Sequence, residues 1–295
     1  MKAFSSNLSD PTIDQNTKTN PLYTVSALVS VYRSNRFIFD KLLDLTEQTL
    51  YRKGKLQIIV INTASPEKEH FTILKFLEHY PHFTYIYTHQ RESVYSAWNR
   101  GIVLAQADLI TNSNTDDRLR PDALEIMSQA LLDDKGGAVL AYCRSYIHHI
   151  PNQKWSSRIR FNSIYQNHPN RKPHQHEIGP NPVWKRKLHD IHGLFDTRYR
   201  AAGDHAFFSQ IAQKYPFLEI PEILGLWYRD KKRRNLGFLS DSELKSIPPQ
   251  PLKSDPIEVQ KEIDYWRTLN QEAEIYQSKA ETMPEIPLKR KWLLW

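Results

Sequence analysis

Between residues 22 and 131, short runs of β-branched and aromatic residues alternate with segments whose apolar residues recur at helical spacing, and few folds accept that order. LYTVSALVSVY (22–32) predicts a buried strand, KLQIIVIN (55–62) a second, FTYIYT (83–88) a third and ADLITNS (107–113) a fourth. A helix is expected from about Asn35, with Ile38, Leu42 and Leu45 on one face. Ile73, Phe76, Leu77 and Tyr80 fall at i, i+3, i+4 and i+7, the spacing of a single helical face. Val94, Trp98, Ile102 and Ala105 mark another helix, and Pro121 opens a further one carrying Leu124, Met127 and Leu131. Alternation of this kind builds an α/β fold, a mostly parallel Rossmann-like sheet with helices on both faces. Ligands of such sheets bind outside the carboxyl ends of the strands. Ser30–Tyr32, Asn62–Ser65 and Asn114–Asp117 follow strands one, two and four, and are therefore expected to line one crevice.

The second half is less regular. GAVLAYCRSYIHH (137–149) predicts a strand, PVWKRKLHDIHGLFD a short helix and turn, GDHAFFSQIAQKY (203–215) a helix, and FLEIPEILGLWYR a returning strand. Residues 151–180 are polar, aromatic and rich in His, Asn and Pro, and a loop of that length inside a compact domain is usually functional or mobile. SIPPQPLKSDP (246–256) reads as a linker and residues 257–278 as an amphipathic helix. The expected organisation is a flexible lead-in over 1–20, one domain over 21–240 whose halves divide near residue 135, and a helical extension over 241–295.

Charge narrows the function classes. Forty Lys and Arg against 33 Asp and Glu give a net charge of +7, which suits an anionic partner. None of the common nucleic-acid motifs is present, so a nucleic-acid binder rests on charge alone. No apolar run approaches the roughly 20 residues of a membrane span, the N-terminus lacks the apolar core of a secretory signal, and Cys143 is a lone cysteine. Together these favour the cytoplasm.

Two stretches carry candidate chemistry. In TNSNTDDRLRP (111–121), Asp116 and Asp117 follow a buried strand. Adjacent carboxylates repel unless something compensates them, so the loop either holds a hard cation through oxygen or caps the next helix. In YRAAGDHAFF (199–208), Asp204 opens a helix. It is either an ordinary cap or a general base kept ionised by the helix N-terminus. In RESVYSAWNRGI, Trp98 reads as core, while Arg91, Asn99 and Arg100 either contact a nucleotide or face solvent.

The ordered set SVY, INTAS, ESVYSAWNRGI, NTDDRLRPDAL and GPNPVWKRKL…GLFD…AAGDHAFF resembles glycosyltransferase family 2, inverting nucleotide-sugar transferases with the GT-A fold. The resemblance runs from about residue 23 to 230. It implies Asp204 as catalytic base, Asp117 as metal ligand, Asp116 toward ribose or metal, and Ser30, Tyr32, Asn62, Asn99 and Asn114 at the donor. It also implies Mn²⁺ or Mg²⁺ as cofactor, a nucleotide-sugar donor (a UDP-sugar foremost) and a glycan or other hydroxyl acceptor. Arg229, Lys231 and Lys232, after the last core strand, are candidate phosphate contacts. This chain departs from the family pattern where Asn62-Thr63-Ala64-Ser65 replaces an acidic second loop and where Asn114 stands in place of an aspartate. Those departures leave open a non-catalytic nucleotide-sugar binder on the same scaffold. Acceptor choice is expected in residues 150–182, near His148, His149, His168, His174 and His176. The terminal PLKRKWLLW combines cations with tryptophans and leucines, and is a candidate for weak peripheral contact with an anionic membrane.

Overall fold

The computed structural model describes residues 22–156, 158–166, 178–231, 240–285 and 287–289. The expected lead-in over 1–20, His168, His174, His176, Lys232 and most of the terminal basic segment lie outside them.

The first half follows its periodicity closely. Strand β1 (Val25–Val31) leads to helix α1 (Ile38–Thr46) and the short α2 (Thr49–Arg52). Next come β2 (Leu56–Thr63), α3 (Glu69–His79), β3 (Phe83–Thr88), α4 (Val94–Leu104) and β4 (Leu109–Asn112). β1 pairs in parallel with β2 on one side and β4 on the other, and β2 pairs in parallel with β3. The chain therefore winds outward from β1 to β3 and then crosses back to β4. Such a reversal, here at the carboxyl ends of β1 and β4, is where open α/β sheets bind ligands.

β2 is buried at every position and β1 at all but Ser30. Continuous burial explains why these strands read as unbroken apolar runs rather than alternating ones. One core layer packs α1, α3 and α5 (Ala123–Asp133) against the sheet through Ile38, Leu42, Ile73, Phe76, Leu124 and Met127. The opposite layer holds α4, α6 (Lys187–His192) and α7 (Gly203–Ile211) through Trp98, Ile102, Leu188 and Phe208.

The remaining elements are β5 (Arg118–Leu119), β6 (Leu140–His148), β7 (Ser163–Tyr165), β8 (Val183–Lys185), β9 (Phe217–Tyr228), α8 (Ser240–Ser246), α9 (Pro256–Gln271) and β10 (Glu274–Gln277). They complete one mixed sheet ordered β10-β3-β2-β1-β4-β8-β6-β9-β5, with β7 beside β6. Several expectations need correction. VWK forms strand β8, antiparallel between β4 and β6, ahead of the expected short helix. The last turn of the expected 257–278 helix is instead β10, which extends the sheet antiparallel to β3. Pro121 stands ahead of α5, whose N-cap is Asp122.

The C-terminal elements are tied to the core by a buried charge. Arg100, 5% exposed on α4, pairs with Glu92 at 2.6 Å and donates to the Leu269 carbonyl at 2.7 Å and Asn270 Oδ1 at 3.2 Å on α9. It does not face solvent. No described helix is long and apolar enough to cross a membrane.

Candidate active site

The acidic loop is anchored from below. The Ser113 amide donates to the Leu28 carbonyl at 2.8 Å, fixing the exit of β4 against β1. The loop then runs into β5 and not into α5, so Asp116 and Asp117 do not cap that helix. Asp117 is 2% exposed. Its Oδ1 accepts from the Tyr228 amide at 3.0 Å and its Oδ2 from Asn114 Nδ2 at 3.3 Å. Burial, with Asp116 alongside, pushes its carboxyl up to about 8, while Lys41 and the two hydrogen bonds pull the other way.

Two buried cations lie near it. Arg118, 1% exposed, donates to the carbonyls of Thr115 at 2.7 Å and Asp117 at 2.6 Å, and to Asn152 Oδ1 at 2.8 Å. Lys41, fully buried on α1, sits 3.5 Å from Asp44 Oδ2, and both Asp44 oxygens accept from the Leu119 amide. Both Asp117 oxygens thus have protein partners, whereas Asp116 keeps part of its surface open. The resemblance put Asp117 first as a metal ligand. Of the two, Asp116 is the more accessible acid.

The first two loops are laced together. The Arg33 amide donates to Ser65 Oγ at 2.9 Å, and the Ser34 amide and Ser65 Oγ both donate to Glu69 Oε1, at 2.5 and 2.9 Å. Glu69 is fully buried on α3, and its part in shaping the crevice was not read from the sequence. Ser30 is partly exposed at the end of β1. The Tyr32 ring lies under the Arg91 guanidinium, 4.3 Å away.

Two expected donor contacts turn inward. Asn62, 1% exposed, donates to Tyr85 Oη at 3.2 Å and accepts from the Ser65 amide at 2.9 Å. Asn99, fully buried, exchanges two hydrogen bonds with the Phe195 backbone at 2.9 and 3.0 Å. Both amides hold loops in place, because a buried amide is retained only where its own groups are satisfied.

Asp204 lies in the first turn of α7, partly exposed, with Ala202 and not Asp204 at the N-cap. Its Oδ1 accepts from Tyr95 Oη at 2.9 Å and from the His205 amide at 2.9 Å. The helix terminus was expected to favour the ionised form. Burial prevails and raises its pKa, with the Tyr95 and His205 bonds opposing. A base with a raised pKa takes a proton more readily. Tyr95 is the partner that sequence reading missed; its place at the start of α4 gave no sign of a contact 109 residues away.

Basic groups adjoin the acidic loop through the backbone. Arg229 directly follows Tyr228, whose amide binds Asp117, and its guanidinium stacks on Trp227 at 4.6 Å. Lys231 is exposed. His148 is fully buried, and burial lowers its pKa to about 4, so it serves as a neutral core group. Among the described residues no three His, Cys, Asp or Glu side chains gather as a metal cage.

Comparison with known proteins agrees with this architecture. The family model described as "Glycosyl transferase family 2" matches residues 26–194. No curated protein sequence matches. Among solved structures, S. aureus TarS 1–349 in complex with UDP superposes with a TM-score of 0.55 at 12% identity, covering 83% of this chain and 70% of that one. The mannosyltransferase PcManGT from Pyrobaculum calidifontis, in complex with GDP-Man and Mn²⁺, gives 0.57 at 18% identity, covering 85% and 71%. At these identities the likeness establishes the fold, a GT-A type mixed sheet with a mostly parallel core flanked by helices.

Proposed function

The chain belongs to glycosyl transferase family 2, and we propose that it moves a hexose from a nucleotide-diphosphate donor to a hydroxyl acceptor with inversion, with Asp204 as general base. The observation that carries this reading is the setting of Asp204: a partly open carboxylate, made more basic by burial and oriented by the Tyr95 hydroxyl at 2.9 Å. As the acceptor oxygen attacks the anomeric carbon, its proton passes to Asp204, and the bond from that carbon to the nucleotide diphosphate breaks. Attack from the face opposite the leaving group inverts the centre.

Negative charge on the departing diphosphate needs a counter-charge. Arg229 and Lys231 are the candidate donors among the described residues, starting one residue beyond the anchor at Tyr228. The acidic loop fits a divalent cation. Asp116 and Asp117 are adjacent acids whose repulsion a cation relieves, and Mg²⁺ or Mn²⁺ needs only one or two carboxylates when phosphates complete the shell. Asp116, with Asp117 behind it, would hold the ion. Its chemistry there is neutralisation of phosphate charge. Ser30 and Tyr32 are the first-loop residues proposed against the nucleotide. A UDP-sugar is the first donor to try, since one similar fold holds UDP and another GDP-Man with Mn²⁺.

The test is a panel of UDP- and GDP-sugars added to the purified chain with Mn²⁺, read by thermal shift and then by nucleotide release with and without chelator. We expect one sugar nucleotide to raise the Tm and chelator to remove both signals. Stabilisation without any release, whether to acceptor or water, points to the binder instead. We place the work in the cytoplasm and propose weak membrane contact through residues 287–295, tested by liposome sedimentation with and without them.

A further inference from the structure

α7 begins without a cap of its own. The residues before Asp204 are Ala201, Ala202 and Gly203, and none has a side chain that accepts a hydrogen bond. The backbone N–H groups of that turn are bound from elsewhere. Glu243, on α8 some forty residues downstream, accepts from the amides of Arg200 at 3.0 and 3.1 Å, Ala201 at 2.7 Å and Ala202 at 3.2 Å. One carboxylate thus gathers three successive backbone donors, an arrangement stronger than neutral hydrogen bonding. The turn is tied once more through Tyr199, whose Oη donates to the Ile247 carbonyl at 2.8 Å, and the far end of α7 through Gln210, whose Nε2 donates to the Gln250 carbonyl at 3.0 Å. On its other side Asp204 is held by Tyr95.

We propose that Glu243 is a positioning residue for the transfer reaction: it fixes the 200–202 turn so that Asp204 stands where the acceptor proton is taken. The C-terminal extension is then part of the catalytic apparatus and not an appendage. This rests on Asp204 being the base. Glu243 acts through the amides of Arg200, Ala201 and Ala202, so its loss is expected to act on kcat and to leave donor affinity in place. A carboxylate lost from a fold-supporting contact alone would lower stability without that split.

The experiment compares Glu243→Ala, Glu243→Gln and Glu243→Asp in the full chain. Three quantities are measured: kcat, donor KM with the sugar nucleotide found by the panel, and amide hydrogen exchange of residues 199–204. We expect Glu243→Ala to lower kcat about 10- to 100-fold, the scale of a misplaced catalytic group, with donor KM changed less than about twofold. Exchange at the 200–202 amides should rise, and Glu243→Gln, which keeps one acceptor oxygen, should recover part of kcat. If the alanine variant does not fold, the glutamine variant carries the same comparison. An unchanged kcat alongside faster exchange overturns the proposal, as does a loss confined to donor KM. Faster turnover in Glu243→Ala also overturns it, because the contact is then inhibitory. Asp204→Asn run in parallel separates the two readings: if it stays active the base assignment fails, whereas a dead Asp204→Asn beside a normal Glu243→Ala sinks only the role of Glu243.

Discussion

Replacing Gly203 by alanine tests whether the turn before α7 is fitted to the Tyr95 ring. A Cβ at Gly203 would stand 2.8 Å from Tyr95 Cδ2 and Cε2 and 2.9 Å from Cγ, about 0.6 Å inside the 3.4 Å where ordinary contact begins. The ring has little room to yield. It is 2% exposed and wedged against Trp98 and Phe195, with ring centroids 5.2 and 5.9 Å away. Overpacking of this kind costs about 1–3 kcal/mol, or a Tm lower by several degrees in a chain of this size. The same clash pushes apart the groups that share the Tyr95–Asp204 hydrogen bond. Since a displacement of roughly 1 Å can cost about 100-fold, we expect kcat to fall about tenfold or more. Gly101→Ala is the control: its Cβ meets Leu28 Cδ2 at 2.8 Å and Ile61 Cδ1 at 3.2 Å, in the same core layer but against flexible methyl ends. Thermal unfolding and nucleotide release are measured on both variants. Wild-type kcat in Gly203→Ala, or equal kcat losses in the two, refutes the reasoning.

Other outcomes follow from the buried charges. Because the folded pKa of Asp117 is raised to about 8 from an ordinary 3.8, the native state binds more protons than the unfolded one, so metal-free stability should fall as pH rises between those values. Asp117→Asn should flatten that fall in a Tm series from pH 5 to 9. Asp116→Asn should abolish the stabilisation by Mn²⁺ plus donor while changing the metal-free Tm by little. Arg100→Ala removes the Glu92 pair and the bonds to Leu269 and Asn270, at a cost of about 2–3 kcal/mol. It should also loosen α9, seen as faster proteolysis in the 246–256 linker.

Much of the first half was legible because its strands are buried on both faces and its helices keep one apolar stripe. β2 and β3 fall where the residues place them, and the loops after β1 and β2 meet, with Arg33 bonded to Ser65. The second half was less legible. β8 has three residues and β10 four, too short to carry a period, and both pair antiparallel through contacts set by the tertiary fold. Asp204 and the Asp116–Asp117 pair stood out as motifs. What the sequence could not convey was the direction of each polar side chain. Asn62 and Asn99 have the chemistry of ligand contacts and spend it on Ser65 and Phe195, while Tyr95, Glu69 and Glu243 do their work at sequence separations that no local pattern encodes.

The central claim is that Asp204 takes the acceptor proton. The most direct test is purified Asp204→Asn, assayed for sugar transfer beside donor-induced thermal stabilisation. Transfer should be lost while stabilisation by the donor persists and the metal-free Tm stays near wild type. Near wild-type transfer by a folded Asp204→Asn protein contradicts the account.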